Sequence, residues 1–191
     1  MSDDFTDDVR DFLLNYPLVE QMTQLSKMAL RRVYGRLQAE IVRRDWYNAH
    51  EFRSAISERW IQIWKHHWHP SVNPGCPWIH MEYFLNWGRG FVECRLDIEG
   101  GGAPRDAVLK MGKLLCATLT TQKPAWLNEG GWILSDAGRN SVVLLIKDQE
   151  VPKDAAFSSR WMIHRGIELL DGLSHVMPTV DEAVVAFQEK R

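Results

Sequence analysis

From Trp78 the hydrophobic period of the chain is two. Ile79, Met81, Tyr83, Leu85 and Trp87 alternate with His80, Glu82, Phe84 and Asn86. Gly88-Arg89-Gly90 then supplies turn chemistry, and Val92, Cys94, Leu96 and Ile98 alternate with Glu93, Arg95, Asp97 and Glu99. Successive side chains of a strand point to opposite sides, so this pattern predicts a β-hairpin with one apolar face. Its polar positions, Glu93, Arg95, Asp97 and Glu99, are expected to face solvent. An antiparallel sheet is therefore the centre of the fold.

The chain before the hairpin reads as helix. Phe5, Val9, Phe12 and Leu13 recur at helical spacing up to Pro17, where the run is expected to end. Leu18, Met22, Leu25, Met28, Ala29, Val33, Leu37 and Ile41 mark one stripe, and Phe52, Ile56, Trp60, Ile63 and Trp64 mark another. These predict two helices joined around Trp46-Tyr47-Asn48, or one bent helix. Pro70, Asn73, Pro74, Gly75 and Pro77 form a rigid loop before the hairpin.

After Gly100-Gly101-Gly102 a helix is predicted from Pro104 to about Thr120, then strands over 131–134 and 141–147 around a turn at 136–140. A helix over 154–175 follows, and Thr179-Val180-Asp181-Glu182 predicts a capping box for a last helix. The expected fold class is α+β: a four-stranded antiparallel sheet with helices packed on one face and an N-terminal helical extension. The expected division is a helical region over 1–69, able to pack with the rest as one domain, and a sheet domain over 70–191.

With a net charge of −2 the chain as a whole lacks the electrostatic footprint of a nucleic-acid or acidic-membrane binder. Three widely spaced cysteines, Cys76, Cys94 and Cys116, outline no disulfide framework. The acidic start MSDDFTDDVRDF is unlike a secretory signal, and no apolar run reaches the about 20 residues of a membrane span. A cytoplasmic protein is expected. Nine tryptophans are many for 191 residues; burial in the core accounts for most of them, with interface anchors as the other use of such side chains.

Four patterns bear on chemistry. His66, His69, Cys76 and His80 are candidate metal ligands because imidazole and thiolate suit zinc. A proline-rich loop divides them, however, HExxH is absent, and histidines ending a helix also favour its dipole. Asp97-Ile98-Glu99 echoes the acidic strand of restriction-type nucleases, yet Gly100 and Gly101 stand where the lysine belongs. Nucleophile motifs are missing, and Cys94 falls on the apolar side of its strand. Lys27, Arg31, Arg32, Arg36, Arg43 and Arg44 gather on the long N-terminal helix with Trp46 and Tyr47 beside them, a partner-binding candidate. The competing account is a solvated face paired with Glu40 and Asp45.

The segments FRSAISERWIQIW (read as helix), VECRLDIEG, VLKMGKLLCATL, Gly131-Trp132 and SSRWMIHRGIELL together resemble a small α+β domain appended to restriction-type nucleases in bacteria. The likeness spans about residues 52–187 and supplies no catalytic residue. It implies an accessory or regulatory protein of bacterial or phage origin, acting in host–phage conflict. The functional expectation is thus a non-enzymatic binding protein without a cofactor. A protein partner comes first, nucleic acid is the alternative, a homodimer is compatible with either, and no membrane is expected. A small metalloenzyme around the histidines is the remaining reading.

Overall fold

The structure, a computed structural model, describes residues 7–86, 90–134, 141–151 and 159–189. It is α+β, with an N-terminal helix α1 (Asp7–Ile41) and a sheet of β1 (Phe52–Ile56), β2 (Trp60–Lys65), β3 (Trp78–Asn86), β4 (Phe91–Glu99), β5 (Ile133–Leu134) and β6 (Ser141–Glu150). Helices α2 (Arg105–Gln122) and α3 (Ala125–Glu129) lie between β4 and β5 in the chain, and α4 (Ser159–Ser174) and α5 (Met177–Glu189) follow β6. The strand order is β1-β2-β3-β4-β6-β5, antiparallel throughout.

The central hairpin forms as its alternation predicts. Ile79 pairs with Ile98, Met81 with Leu96, Tyr83 with Cys94 and Leu85 with Val92, all buried. Trp87 and most of its turn, like the turn at 136–140, lie outside the described residues.

The sheet has six strands rather than four, because the segment expected to be a second N-terminal helix is a hairpin. Phe52, Ile56, Trp60, Ile63 and Trp64 fit a helical stripe, but Phe52, Ser54, Ile56 and Ile61, Ile63, Lys65 also alternate, and β-branched isoleucines favour strands. A tight turn joins the strands: the Ser57 N–H donates to Trp60 O, and Ser57 Oγ accepts from the N–H groups of Arg59 and Trp60. β2 pairs directly with β3, so the sheet runs across residue 69.

Helix α1 does not end at Pro17, which lies inside it. Its second half is anchored by Leu30, Val33, Tyr34, Leu37 and Ile41, a buried stripe at helical spacing. α4 crosses α1 where Gly166 meets Leu37. A Cβ at Gly166 would lie 2.6 Å from Leu37 Cδ2 and 3.0 Å from Tyr83 Cε1. Gly166→Ala is therefore expected to destabilise by about 1–2 kcal/mol, overpacking outweighing the gain in helix propensity; urea titration measures it.

The last helix begins at Met177, three residues before the Val180 start that a Thr179 cap requires. Thr179 is buried with its hydroxyl towards Gln122, and Asp181 is turned to other partners. The capping box does not form because Thr179, its cap residue, lies inside the helix rather than ahead of it. Among the eight described tryptophans, Trp68 and Trp132 are buried and the others half-buried; none is exposed.

Candidate functional site

The side chains of β2, β3 and β4 that point away from the apolar core form a cluster of their own. Gln62, Glu82 and Arg95 make one cross-strand row, His80 and Asp97 the next, and Trp78 and Glu99 the third. A β-bulge between β4 and β6 falls at Leu96/Asp97, beside the second row. Bulges at such places re-aim the side chains next to them.

This face is not the solvated surface that alternation predicts. His80 and Asp97 are 0% and 1% exposed, Gln62 and Glu82 are also buried, and Glu93, Arg95 and Glu99 are half-buried. Flanking aromatics account for part of the cover. Trp78 lies 4.5 Å from the His80 ring, His69 lies against Trp78 and Trp64, and the Arg95 guanidinium sits 4.9 Å over Phe84. Gly101 permits one close approach here, since at φ 51° its absent Cβ would meet Pro70 and Trp78 at about 3 Å.

The hydrogen bonds within the cluster are incomplete. Gln62 Nε2 donates to Glu82 Oε2 at 2.7 Å and lies 3.0 Å from His80 Nε2. Arg95 donates to Glu82 Oε1 at 2.8 Å and lies 3.2 Å from Asp97 Oδ2; Asp97 Oδ1 accepts from the Ile98 N–H. Gln62 Oε1, Trp78 Nε1, His80 Nδ1, Arg95 Nε and Asp97 Oδ2 have no hydrogen-bond partner, five of the seven such buried atoms among the described residues. Folded proteins pair nearly all buried polar groups, so this concentration marks the site.

The carboxylates are tuned apart. Burial raises the Asp97 carboxyl above its usual range, against the pull of Arg95 and His80 and with added repulsion from Glu99 and Glu82. Burial also acts on Glu82, but His80, Arg95 and Gln62 outweigh it and hold that carboxyl below its usual range.

The four metal candidates read from the sequence are not brought together as a set. His66 is exposed in a 3-10 turn (His66–Trp68), Cys76 is buried in the core, and His69 stacks among Trp64 and Trp78 with Nδ1 2.7 Å from Ser71 Oγ. Burial, with His66 and His80 nearby, lowers the His69 imidazole below its usual value. His80 instead joins Asp97 and Glu99, with one ligand atom from each within 4.8 Å of the others. Sequence reading missed this trio because it takes the polar side of an alternating strand as solvated.

The partner-binding candidates divide. Arg31, Arg32 and Arg36 are exposed on α1, and Lys27 is half-buried. Arg43 is exposed and pairs with Glu40 at 3.3 Å. Arg44 pairs with Asp171 of α4, which also accepts from Trp46 Nε1 at 2.7 Å, and Trp46, Tyr47 and Phe52 pack as an aromatic group. Those last side chains tie α1 to the body of the fold. Cys94 is fully buried on the apolar face, and burial pushes its thiol far above the ordinary value, which suits packing and not nucleophilic chemistry.

A second surface stands out on α1. Tyr16, Leu18, Val19, Met22, Leu25 and Met28 are exposed, Met22 by 61% and Leu25 by 58%. Leu18, Met22, Leu25 and Ala29 follow the alternating four-three spacing of a helix-pairing seam. Among the described residues no helix is long and apolar enough to cross a membrane. Compared with known proteins, the chain matches no family model, no curated protein and no solved structure.

Proposed function

We propose that the protein is a non-enzymatic binding protein that works as a pair, joined through the outer half of α1. The observation that carries this is the exposed apolar seam of Leu18, Met22 and Leu25, with Met28 exposed beside it, on a helix whose other half is rooted in the core. Contiguous exposed apolar surface of this kind marks an interaction site.

Charge complementarity selects the occupant. The sequence at the start of α1 carries Asp7, Asp8 and Asp11, and the flank beyond the seam carries Arg31, Arg32 and Arg36. Two copies of α1 laid antiparallel across the seam bring the acidic start of each beside the basic flank of the other. The sequence resemblance supports a bacterial or phage setting in host–phage conflict, with a regulatory role.

Sedimentation equilibrium tests the reading. A dimer is expected at tens of micromolar, with Leu25→Glu and Met22→Lys monomeric but folded, since both positions are exposed. Arg31→Glu with Arg32→Glu is expected to weaken dimerisation by about tenfold or more, as like charges meet across the pair. A monomeric wild type would overturn the reading. Binding of a nucleic-acid oligomer that falls steeply with salt, is lost in the arginine variants and is untouched by Leu25→Glu would replace it with the nucleic-acid alternative.

A further inference from the structure

We infer that His80, Asp97 and Glu99 form a binding site for a divalent first-row metal ion, Zn²⁺ or Mn²⁺, on the polar face of the sheet. One donor atom from each residue lies within 4.8 Å of the other two. Metal–ligand bonds of about 2.0–2.2 Å put the donors of one shell about 3.5 Å apart, so small side-chain rotations close the set onto an ion.

His80 makes this more than an acidic cluster. The imidazole is fully buried, and its Nδ1 has no hydrogen-bond partner. Asp97, 1% exposed, likewise has an Oδ2 with no partner beyond the ion-pair contact from Arg95. Charge points the same way. Glu82, Asp97 and Glu99 bring three carboxyl groups together against the single guanidinium of Arg95, an acidic excess that a divalent ion offsets. An imidazole with two carboxylates suits zinc and manganese better than magnesium, which prefers oxygen ligands.

The surrounding residues have the form of an outer shell. A metal-bound histidine commonly donates its second ring N–H to a carboxylate, and His80 Nε2 lies 3.5 Å from Glu82 Oε2. With Nδ1 on the ion, Nε2–H turns to Glu82 and the Gln62 amide gives up its contact with the imidazole. Arg95 holds Glu82 in place from the other side. Three protein ligands leave at least one coordination position for water or for an oxygen of a bound ligand.

The test is calorimetric titration of the chelator-stripped full chain with Zn²⁺ and with Mn²⁺ separately, alongside melting temperature. One equivalent is expected to bind and raise the melting temperature, with Mg²⁺ much weaker. Glu99→Gln, at a half-exposed position, and Asp97→Asn, which keeps an oxygen for the Ile98 N–H, are each expected to fold and to lose more than 100-fold in affinity. Glu82→Gln is expected to lose about 10–100-fold, as outer-shell changes do. No binding of either ion at millimolar concentration would overturn the site. Full affinity retained in Glu99→Gln and Asp97→Asn would also overturn it, placing the ion on other groups such as His66 and His67.

Discussion

Trp68→Ala is expected to destabilise the fold by about 3–5 kcal/mol, the range for removing a large buried aromatic. Trp68 is 0% exposed, packs at the edge of Phe52, and donates its indole N–H to Asp181 Oδ1 at 2.7 Å. The same carboxylate accepts from Lys65 Nζ at 2.5 Å and contacts His67 Nε2 at 2.9 Å. One side chain of α5 thus holds the end of β2 and the turn that follows it. Asp181→Ala strips the partner from Trp68, leaves Lys65 only its longer contact to Glu51 at 3.8 Å, and is expected to cost about 3 kcal/mol, whereas Asp181→Asn keeps an acceptor for the indole and is expected to cost about 1 kcal/mol. Denaturant titration of the single variants and of Trp68→Ala with Asp181→Ala gives the coupling. Independent, additive effects would show that the indole bond contributes nothing beyond packing.

Tyr34→Ala is expected to cost a similar amount, about 3–5 kcal/mol. Tyr34 is fully buried, meets Tyr83 edge to face at 6.4 Å, and its hydroxyl does two things at once. It donates to Arg59 O at 3.0 Å in the β1–β2 turn and accepts the Leu85 N–H of β3 at 3.0 Å. Tyr34→Phe leaves the packing and removes both bonds, orphaning a buried N–H, for about 1–3 kcal/mol.

Alkaline pH probes the same group. Burial raises the Tyr34 phenol to about 12, partly offset by the Leu85 hydrogen bond and reinforced by Glu82. Burial drives Tyr83 and the Cys94 thiol up as well. The unfolded chain releases these protons at ordinary values, from about 8.5 for cysteine and 10 for tyrosine, while the folded chain keeps them. The folded state therefore binds more protons, and stability falls as pH rises from about 9 towards 12, by about 1.4 kcal/mol per unit for each group in its window. Urea titrations at pH 8, 10 and 11 should show the decline, and it should be shallower above pH 10 in Tyr34→Phe. A flat profile would contradict the burial of these groups.

The contrast between Leu25 and Leu37 shows where the sequence stops deciding. Both lie on one continuous apolar stripe, and both are helical. Leu37 is buried against Gly166, while Leu25 is exposed. Periodicity determines which side of a helix is apolar, but only the placement of α4 and the sheet determines how much of that side is covered. The stretch from Phe52 to Lys65 failed for a related reason. Its apolar residues satisfy both periods, and the choice of strand is made by pairing with β3, a contact between residues far apart in the chain.

By itself the sequence determined the α+β class, the two strands of the β3–β4 hairpin with their apolar side, and the apolar identity of Cys94. These follow from local alternation, which needs no knowledge of neighbours. The capping residues of α5, the six-strand sheet and the site at His80, Asp97 and Glu99 were decided by tertiary structure alone. His80 and Asp97 stand on the polar side of their strands by pattern, and solvation is the natural expectation there. Their burial comes from the cross-strand rows and the aromatic rim of Trp64, His69 and Trp78, whose members meet only once the sheet has formed.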